Sequence, residues 1–234
     1  MDMAMATTTT EAALYRLMTW LTPSFPVGAF SYSHGLEWAV EAGDIRDLDS
    51  LTGWLADLLA QGSGRNDAIL LAEAWRAASA GDWDRLAEAC ALGLALSPSQ
   101  ERHLETVMQG RSFASAIAAS WPCAAIDRLR ERADTAIAYP VAVGAAAAGH
   151  GLPLDSTLAA YLHGFIANLV SAGVRLVPLG QTDGQRALVA LEDAVARAAR
   201  EAIVGDLDDL GAAMFRADIG SMKHETQYTR LFRS

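Results

Sequence analysis

Lysine is nearly absent from this chain, since Lys223 is the single lysine among 234 residues. A phosphate-binding P-loop needs a lysine between a glycine and a serine or threonine. Lys223 instead follows Met222 and precedes His224. The sequence also lacks a Gly-x-Gly-x-x-Gly motif. We therefore expect no nucleotide to bind through either motif.

Cysteine and positive charge are scarce as well. Cys90 and Cys123 are the two cysteines, and neither belongs to a closely spaced metal-ligand pair, so we predict two reduced, buried thiols. The net charge of -10 argues against nucleic-acid binding, which needs a basic face. The N-terminal residues lack the basic and apolar regions of a secretory signal, so we expect a cytoplasmic protein.

A long stretch of the second half is almost uncharged. Asp155 is the only charged residue between Asp134 and Arg175, and each flanking run is about as long as a membrane-spanning helix. The first run contains Pro140 and many small residues, and the second contains His163. These features favour the buried centre of a soluble fold or a subunit interface over a membrane hairpin.

The dominant pattern is helical. Leu48, Leu51, Leu55 and Leu58 follow steps of three and four, which is typical of an amphipathic helix. We predict an all-α, single-domain bundle of about nine or ten helices with a loosely ordered C-terminal tail. The predicted helices are at about 9–21, 31–42, 48–60, 66–80, 83–95, 98–120, 124–136, 140–149, 155–175 and 183–204.

The two ends of the chain differ from this helical domain, which we place at 9–213. We expect residues 1–8 to be disordered. Residues 214–234 carry a net charge of +2, whereas residues 1–213 carry -12. The tail is polar, basic and aromatic and shows no helical stripe, so we predict a partner-binding segment that is loosely docked when alone.

No residue pattern predicts a catalytic or cofactor-binding site. Ser33 lies in a near match to a nucleophile elbow, but a serine replaces the first glycine and no strand precedes it. His34 and His224 are candidate metal ligands because they lie in polar, aromatic segments. His224-Glu225 begins like a zinc-protease motif, but Tyr228 stands where the second histidine is needed.

Three segments combine turn residues with aromatic, arginine and glutamine side chains, which are common in protein interfaces. They are PSFPVGAFSYSHGLE at 23–37, RLVPLGQTDGQR at 175–186, and the tail, which contains HETQYTRLFRS. In this order, and with YPVAVGAAAAGHGLPL between the first two, the segments resemble the signature stretches of the urease accessory protein family UreF. Gln109-Gly110-Arg111 also resembles a short motif of that family.

The resemblance implies an all-α protein that is usually a homodimer and has no catalytic activity of its own. The resemblance implies that the chain forms a complex with UreD (UreH in some organisms) and the GTPase UreG. This complex is expected to deliver nickel to apo-urease. We accordingly expect no intrinsic cofactor, with nickel handled by the complex and GTP by UreG. It also implies control over GTP hydrolysis by UreG.

The partner-binding residues expected on this basis lie in the same three segments. We expect the tail to become ordered on UreD, with Phe232 filling a pocket and Arg230 and Arg233 contacting carboxylates. Tyr32 and Glu37 are expected to face UreG. Arg175, Gln181 and Gln185 are expected to brace the tail or line an internal polar path. The remaining expected contacts are Ser221, His224, Glu225, Tyr228 and Leu231.

Two other functions stay open from the residues alone. The first is a helical hydrolase that uses Ser33 and a histidine. The second is an independent nickel carrier, for which two chains would have to share imidazole or thiolate ligands because the sequence has no dense cluster of them.

Overall fold

The computed structural model describes residues 2–133 and 136–234, in which helices joined by loops and turns are present and no strand is found. The all-α, single-domain prediction is confirmed. The α-helices of the described ranges are α1 (Asp2–Trp20), α2 (Leu36–Glu41), α3 (Leu48–Gln61), α4 (Ser63–Ala80), α5 (Trp83–Ala95), α6 (Gln100–Ser120), α7 (Ala124–Arg132), α8 (Tyr139–Gly149), α9 (Leu154–Leu176), α10 (Gln181–Val204) and α11 (Phe215–His224).

The core is built around α8, which packs most extensively on α4. Every residue of α8 from Pro140 to Ala147 is buried. At Gly144 a Cβ atom would lie 2.3 Å from the carbonyl oxygen of Leu71, so only glycine permits this approach of the two helices. The prediction that the uncharged stretch contributes the buried centre is confirmed for α8.

Helix α9 is the one described helix that is long and apolar enough to cross a membrane, with a mean hydropathy of 1.3. Half of its most apolar window is buried inside the fold. Its buried residues face α10, α4 and α2. A core helix of a soluble protein has these same properties.

The C-terminal end of the chain differs from its prediction, whereas the expected disorder over 1–8 stays a prediction. Helix α1 reaches Trp20, and neither glycine nor proline interrupts the chain before that residue. The tail also contains a helix, α11, which packs on α2 and α6. The prediction of a loosely ordered tail without a helix is therefore wrong.

Candidate functional site

The chain returns, at residues 225–234, to the loop that precedes α2. We call residues 225–234 the strap. The Arg233 amide donates to the carbonyl oxygen of Ser31 at 2.9 Å, and the Ser33 amide donates to the carbonyl oxygen of Ser234 at 2.8 Å. The Ser33 hydroxyl donates to the same Ser234 oxygen. These bonds join segments about 200 residues apart and fix the strap on the body.

The buried carboxylate of Glu37, in the first turn of α2, is the main acceptor for the strap. The amides of Leu231 and Phe232 donate to its two oxygens at 2.7 and 3.0 Å. The imidazole of His224 lies 3.2 Å from it through Nε2. Because a buried carboxylate needs hydrogen-bond donors, these contacts explain how Glu37 can be buried.

A second carboxylate, Glu101 at the start of α6, joins the strap from the other side. His224 Nδ1 lies 2.6 Å from one Glu101 oxygen, and the guanidinium of Arg230 donates to the other at 2.6 Å. Glu225 accepts the Gln100 amide at 2.7 Å and so satisfies one free donor at the N-terminus of α6. The strap is therefore held by charge-assisted bonds on two helices.

Phe232 is the apolar anchor of the strap and is only 5% exposed. The guanidinium of Arg175, at the end of α9, lies 4.5 Å from the centre of its ring. The same guanidinium donates to the Phe30 carbonyl oxygen at 3.3 Å. Arg175 therefore connects α9, the loop before α2 and the strap through a cation–π contact and a hydrogen bond.

A fully buried ionic cluster lies below the end of the strap. The Ser234 hydroxyl donates to Glu105 at 2.6 Å, and Arg102 forms an ion pair with the same carboxylate. His34 Nδ1 lies 3.4 Å from Glu105, and its Nε2 lies 2.6 Å from the hydroxyl of Ser63. Burial opposes ionisation of Glu105, but Arg102 and the bonds from His34 and Ser234 outweigh it and hold the Glu105 pKa well below its ordinary value.

Comparison with known proteins identifies the family of this chain. A family model described as UreF matches residues 45–192. Curated relatives named "Urease accessory protein UreF" come from Rhodopseudomonas palustris (strain BisA53), with 57% identity over 95% of this chain and 94% of the relative, and from Xanthobacter autotrophicus, with 59% over 95% and 91%. This chain belongs to the UreF family of urease accessory proteins. A third such relative, from Bradyrhizobium diazoefficiens, is 56% identical over 95% of this chain and 92% of its own length.

The residues expected to contact partners of the UreF-family chain divide by exposure. Tyr32 and Glu37 were expected to face UreG, but both are 7% exposed, because the strap covers them. Phe232 and Arg230, expected to anchor on UreD, contact the chain's own Arg175 and Glu101 instead. Gln181 and Gln185 are exposed on the first turns of α10. The remaining exposed members of the expected set are Arg175, Tyr228, Arg230, Leu231 and Arg233, whereas Ser221 and His224 are buried and Glu225 is half-buried.

The hydrolase considered for this UreF-family chain is not supported by the geometry. The Ser33 hydroxyl donates to Ser234 rather than to a histidine. Ser63, His34 and Glu105 do form a serine–histidine–glutamate array, which resembles a catalytic triad. The cleft beside Ser63 has a volume of only about 20 Å³, and burial with the nearby Arg102 lowers the His34 pKa to about 4.

The candidate metal ligands His34 and His224 lie in different clusters and are both engaged by carboxylates. Within residues 11–133 and 136–234, whose side chains the structure describes, no group of three histidine, cysteine or acidic side chains is arranged to hold a metal ion. The predicted free thiols are present: Cys90 is buried and Cys123 half-buried. Sequence analysis missed Glu101, Arg102 and Glu105, because their spacing on α6 is that of an ordinary polar helix face.

Two groups of the UreF-family chain, the buried His34 and the half-buried Asp67, respond oppositely to acid. Burial lowers the His34 pKa from 6.5 to about 4, so the unfolded chain takes up that proton first and stability falls on acidification. Burial raises the Asp67 pKa from 3.8 to about 6, although Arg102 and a bond from Tyr161 oppose this. For Asp67 the folded chain takes up the proton first, so stability rises over nearly the same interval. The two contributions should nearly cancel in the unmodified chain.

Single substitutions should separate these contributions. Asp67→Asn removes the stabilisation that protonation of Asp67 gives the folded chain. Between pH 7.5 and pH 4 its unfolding free energy should therefore fall by about 3 kcal/mol relative to that of the unmodified chain, since one pKa unit is worth ~1.4 kcal/mol. His34→Gln should gain a similar amount. Urea unfolding from pH 7.5 to 4 measures both, and the exposed Asp57→Asn should follow the unmodified chain. If Asp67→Asn and His34→Gln gave parallel curves, the assignment would be wrong.

Proposed function

We propose that this chain is a non-enzymatic scaffold in the cytoplasm that bridges UreD (UreH) and the GTPase UreG during nickel delivery to apo-urease. Membership of the UreF family over nearly the whole chain supports an accessory role in urease maturation. The observation that carries the bridging role is a tail that is fixed to the body and yet presents an apolar surface. Nickel is cargo of the assembled complex in this proposal, and GTP is bound by UreG.

The apolar surface follows one face of α11. Phe215, Ile219 and Met222 follow steps of four and three and are each about half exposed or more. In the strap that follows, Tyr228 and Leu231 are also exposed. Contiguous exposed apolar side chains are typical of protein interfaces. We therefore assign this surface to UreD, in place of the buried Phe232.

A charge placed on this surface should disrupt UreD binding. Ile219→Glu would put a carboxylate into an apolar contact, and a central contact of this kind is worth about 2 kcal/mol or more. We expect the affinity for UreD to fall by about 30-fold or more, because 1.4 kcal/mol corresponds to tenfold. Titration of purified UreD with the full-length chain measures this effect.

The matched control is Val189→Glu, which introduces the same charge at an exposed apolar side chain on α10, 72% exposed against 47% for Ile219. It should bind UreD like the unmodified chain. Equal affinities for the Ile219 and Val189 variants would contradict the assignment of the α11 surface.

We further propose that the chain contacts UreG and controls its GTP hydrolysis. We also propose that the chain forms a homodimer. Because Tyr32 and Glu37 are buried, we propose that they act on UreG indirectly, by fixing the strap. The exposed Gln181 and Gln185 remain available for direct contact. Co-expression of the three proteins followed by mass measurement tests the stoichiometry; separate elution of UreG would contradict the bridging role.

A further inference from the structure

A cavity of about 130 Å³ lies between α4, α6, α8 and α9. Asp67 of α4, Tyr139 of α8 and Tyr161 of α9 line it, together with Glu105 and Gln109 of α6. Its lining includes exposed residues only where the segment after α1 meets α9, at Pro23 and His163, which marks the side from which a molecule would enter.

The charges around this cavity leave one negative charge unbalanced. On α6, Glu105 is paired with Arg102. His34, from the loop before α2, is neutral at neutral pH because burial lowers its pKa to about 4. Among the described residues, Asp67 has no basic side chain in an ion pair. Its one side-chain hydrogen bond comes from the Tyr161 hydroxyl, at 2.8 Å to Oδ2.

The state of Asp67 therefore sets the net charge of the cavity. With Asp67 protonated the buried groups sum to zero, and with Asp67 ionised they sum to one negative charge. The other titratable side chains that line the cavity are Tyr139 and Tyr161, whose pKa values are raised by burial and which stay neutral, and His163, which lies at the exposed entrance. One positive charge in the cavity would make this sum zero when Asp67 is ionised, whereas a doubly charged cation would leave one positive charge unbalanced.

The shape and lining favour an ion larger than a bare metal. An engineered cavity of about 150 Å³ holds benzene, so this cavity accommodates a cation of a few heavy atoms. The rings of Tyr139 and Tyr161 lie 5.6 Å apart, and tyrosine rings attract ammonium groups. The Asp67 carboxylate and the Gln109 amide add hydrogen-bond acceptors, which suit the N–H groups of such an ion.

We propose that this cavity binds a small ammonium-type monocation, with the Asp67 carboxylate as its counter-ion. The cavity shares Glu105 with the end of the strap but lies apart from the α11 surface, and cation binding goes beyond the scaffold role. Binding requires ionised Asp67 and is therefore strongest above neutral pH.

Methylammonium chloride is the probe, with sodium and potassium chloride at equal ionic strength as comparisons. At pH 7.5 we expect saturable stabilisation of the full-length chain against thermal unfolding by methylammonium alone. Asp67→Asn should weaken binding tenfold or more, whereas Asp57→Asn, which removes an exposed carboxylate of α3, should not change it. Below pH 6 the affinity should fall up to tenfold per pH unit.

A second measurement does not depend on the variant. With ¹³C-labelled methylammonium, nuclear Overhauser effects should connect the methyl group to the rings of Tyr139 and Tyr161. Equal stabilisation by potassium or sodium, unchanged binding by Asp67→Asn, or absence of these effects would overturn the proposal. Displacement of methylammonium by stoichiometric Ni²⁺ would also overturn it, since that result would make the cavity a divalent-metal site.

Discussion

Glu37→Gln should release the strap from the body while the helical domain stays folded. The Glu37 carboxylate accepts two strap amides and contacts His224. The glutamine side chain would turn its NH₂ group toward at least one of these donors, which would then lose its acceptor. Removing one partner of a buried charged network costs about 3–5 kcal/mol. We expect hydrogen exchange at Leu231 and Phe232 to accelerate at least a hundredfold.

Glu41→Gln is the matched control, because Glu41 lies on the same helix but is exposed. It should leave exchange in the strap unchanged. Exchange at Leu231 and Phe232 that stays slow in Glu37→Gln would show that Phe232 and Arg230 hold the strap without the carboxylate. Because the Glu37 variant also frees the α11 surface from its fixed position, its affinity for UreD is expected to fall with it.

Gly110→Ala should destabilise the whole fold. A Cβ atom at Gly110 of α6 would lie 2.0 Å from the carbonyl oxygen of Ile137 and 3.0 Å from the Tyr139 amide nitrogen. Both are backbone atoms, so the helices must separate rather than a side chain rotate. Forced separation in a packed core costs about 3 kcal/mol or more, a large part of the 5–15 kcal/mol typical of a domain.

The control is Gly53→Ala on α3, where a Cβ would meet no atom within 4 Å. It should stabilise the protein by about 0.5–1 kcal/mol, because alanine favours a helix interior. Denaturant unfolding should therefore show a lower unfolding free energy for Gly110→Ala and a higher one for Gly53→Ala, although the chemical change is the same. A destabilisation below 1 kcal/mol for Gly110→Ala would mean that α6 and α8 can move apart easily.

The helical body could be predicted from the sequence because each helix carries its own period of apolar residues, as the stripe from Leu48 to Leu58 shows. The second helix is shorter than the predicted 31–42 and spans only Leu36–Glu41. His34 and Gly35 adopt left-handed conformations, with φ of 62° and 76°, which an α-helix does not allow. The left-handed conformation of His34 is imposed by tertiary contacts, so the neighbouring residues in the sequence do not predict it.

The strap could be recognised as an unusual segment but not as a docked one. Its acceptors, Glu37 and Glu101, lie far from it along the chain, and no local pattern relates them. The resemblance to UreF proteins drew attention to the loop before α2 and to the tail, which the structure brings together. The exposure of each side chain, however, depends on tertiary contacts: Phe232, the apolar anchor expected for a partner, is buried in this chain itself, whereas Arg230 and Arg233 stay exposed.

The distance along the chain between Glu37 and its partners has a consequence for biosynthesis. Leu231 and Phe232 follow Glu37 by 194 and 195 residues. While the nascent chain is still on the ribosome, the carboxylate of Glu37 has none of these donors and stays hydrated. Loop closure over such a span comes late in folding. Docking of the strap thus becomes possible only after Leu231 and Phe232 have been synthesised, and a molecule that stops short of these residues would lack the bonds that fix the strap to Glu37.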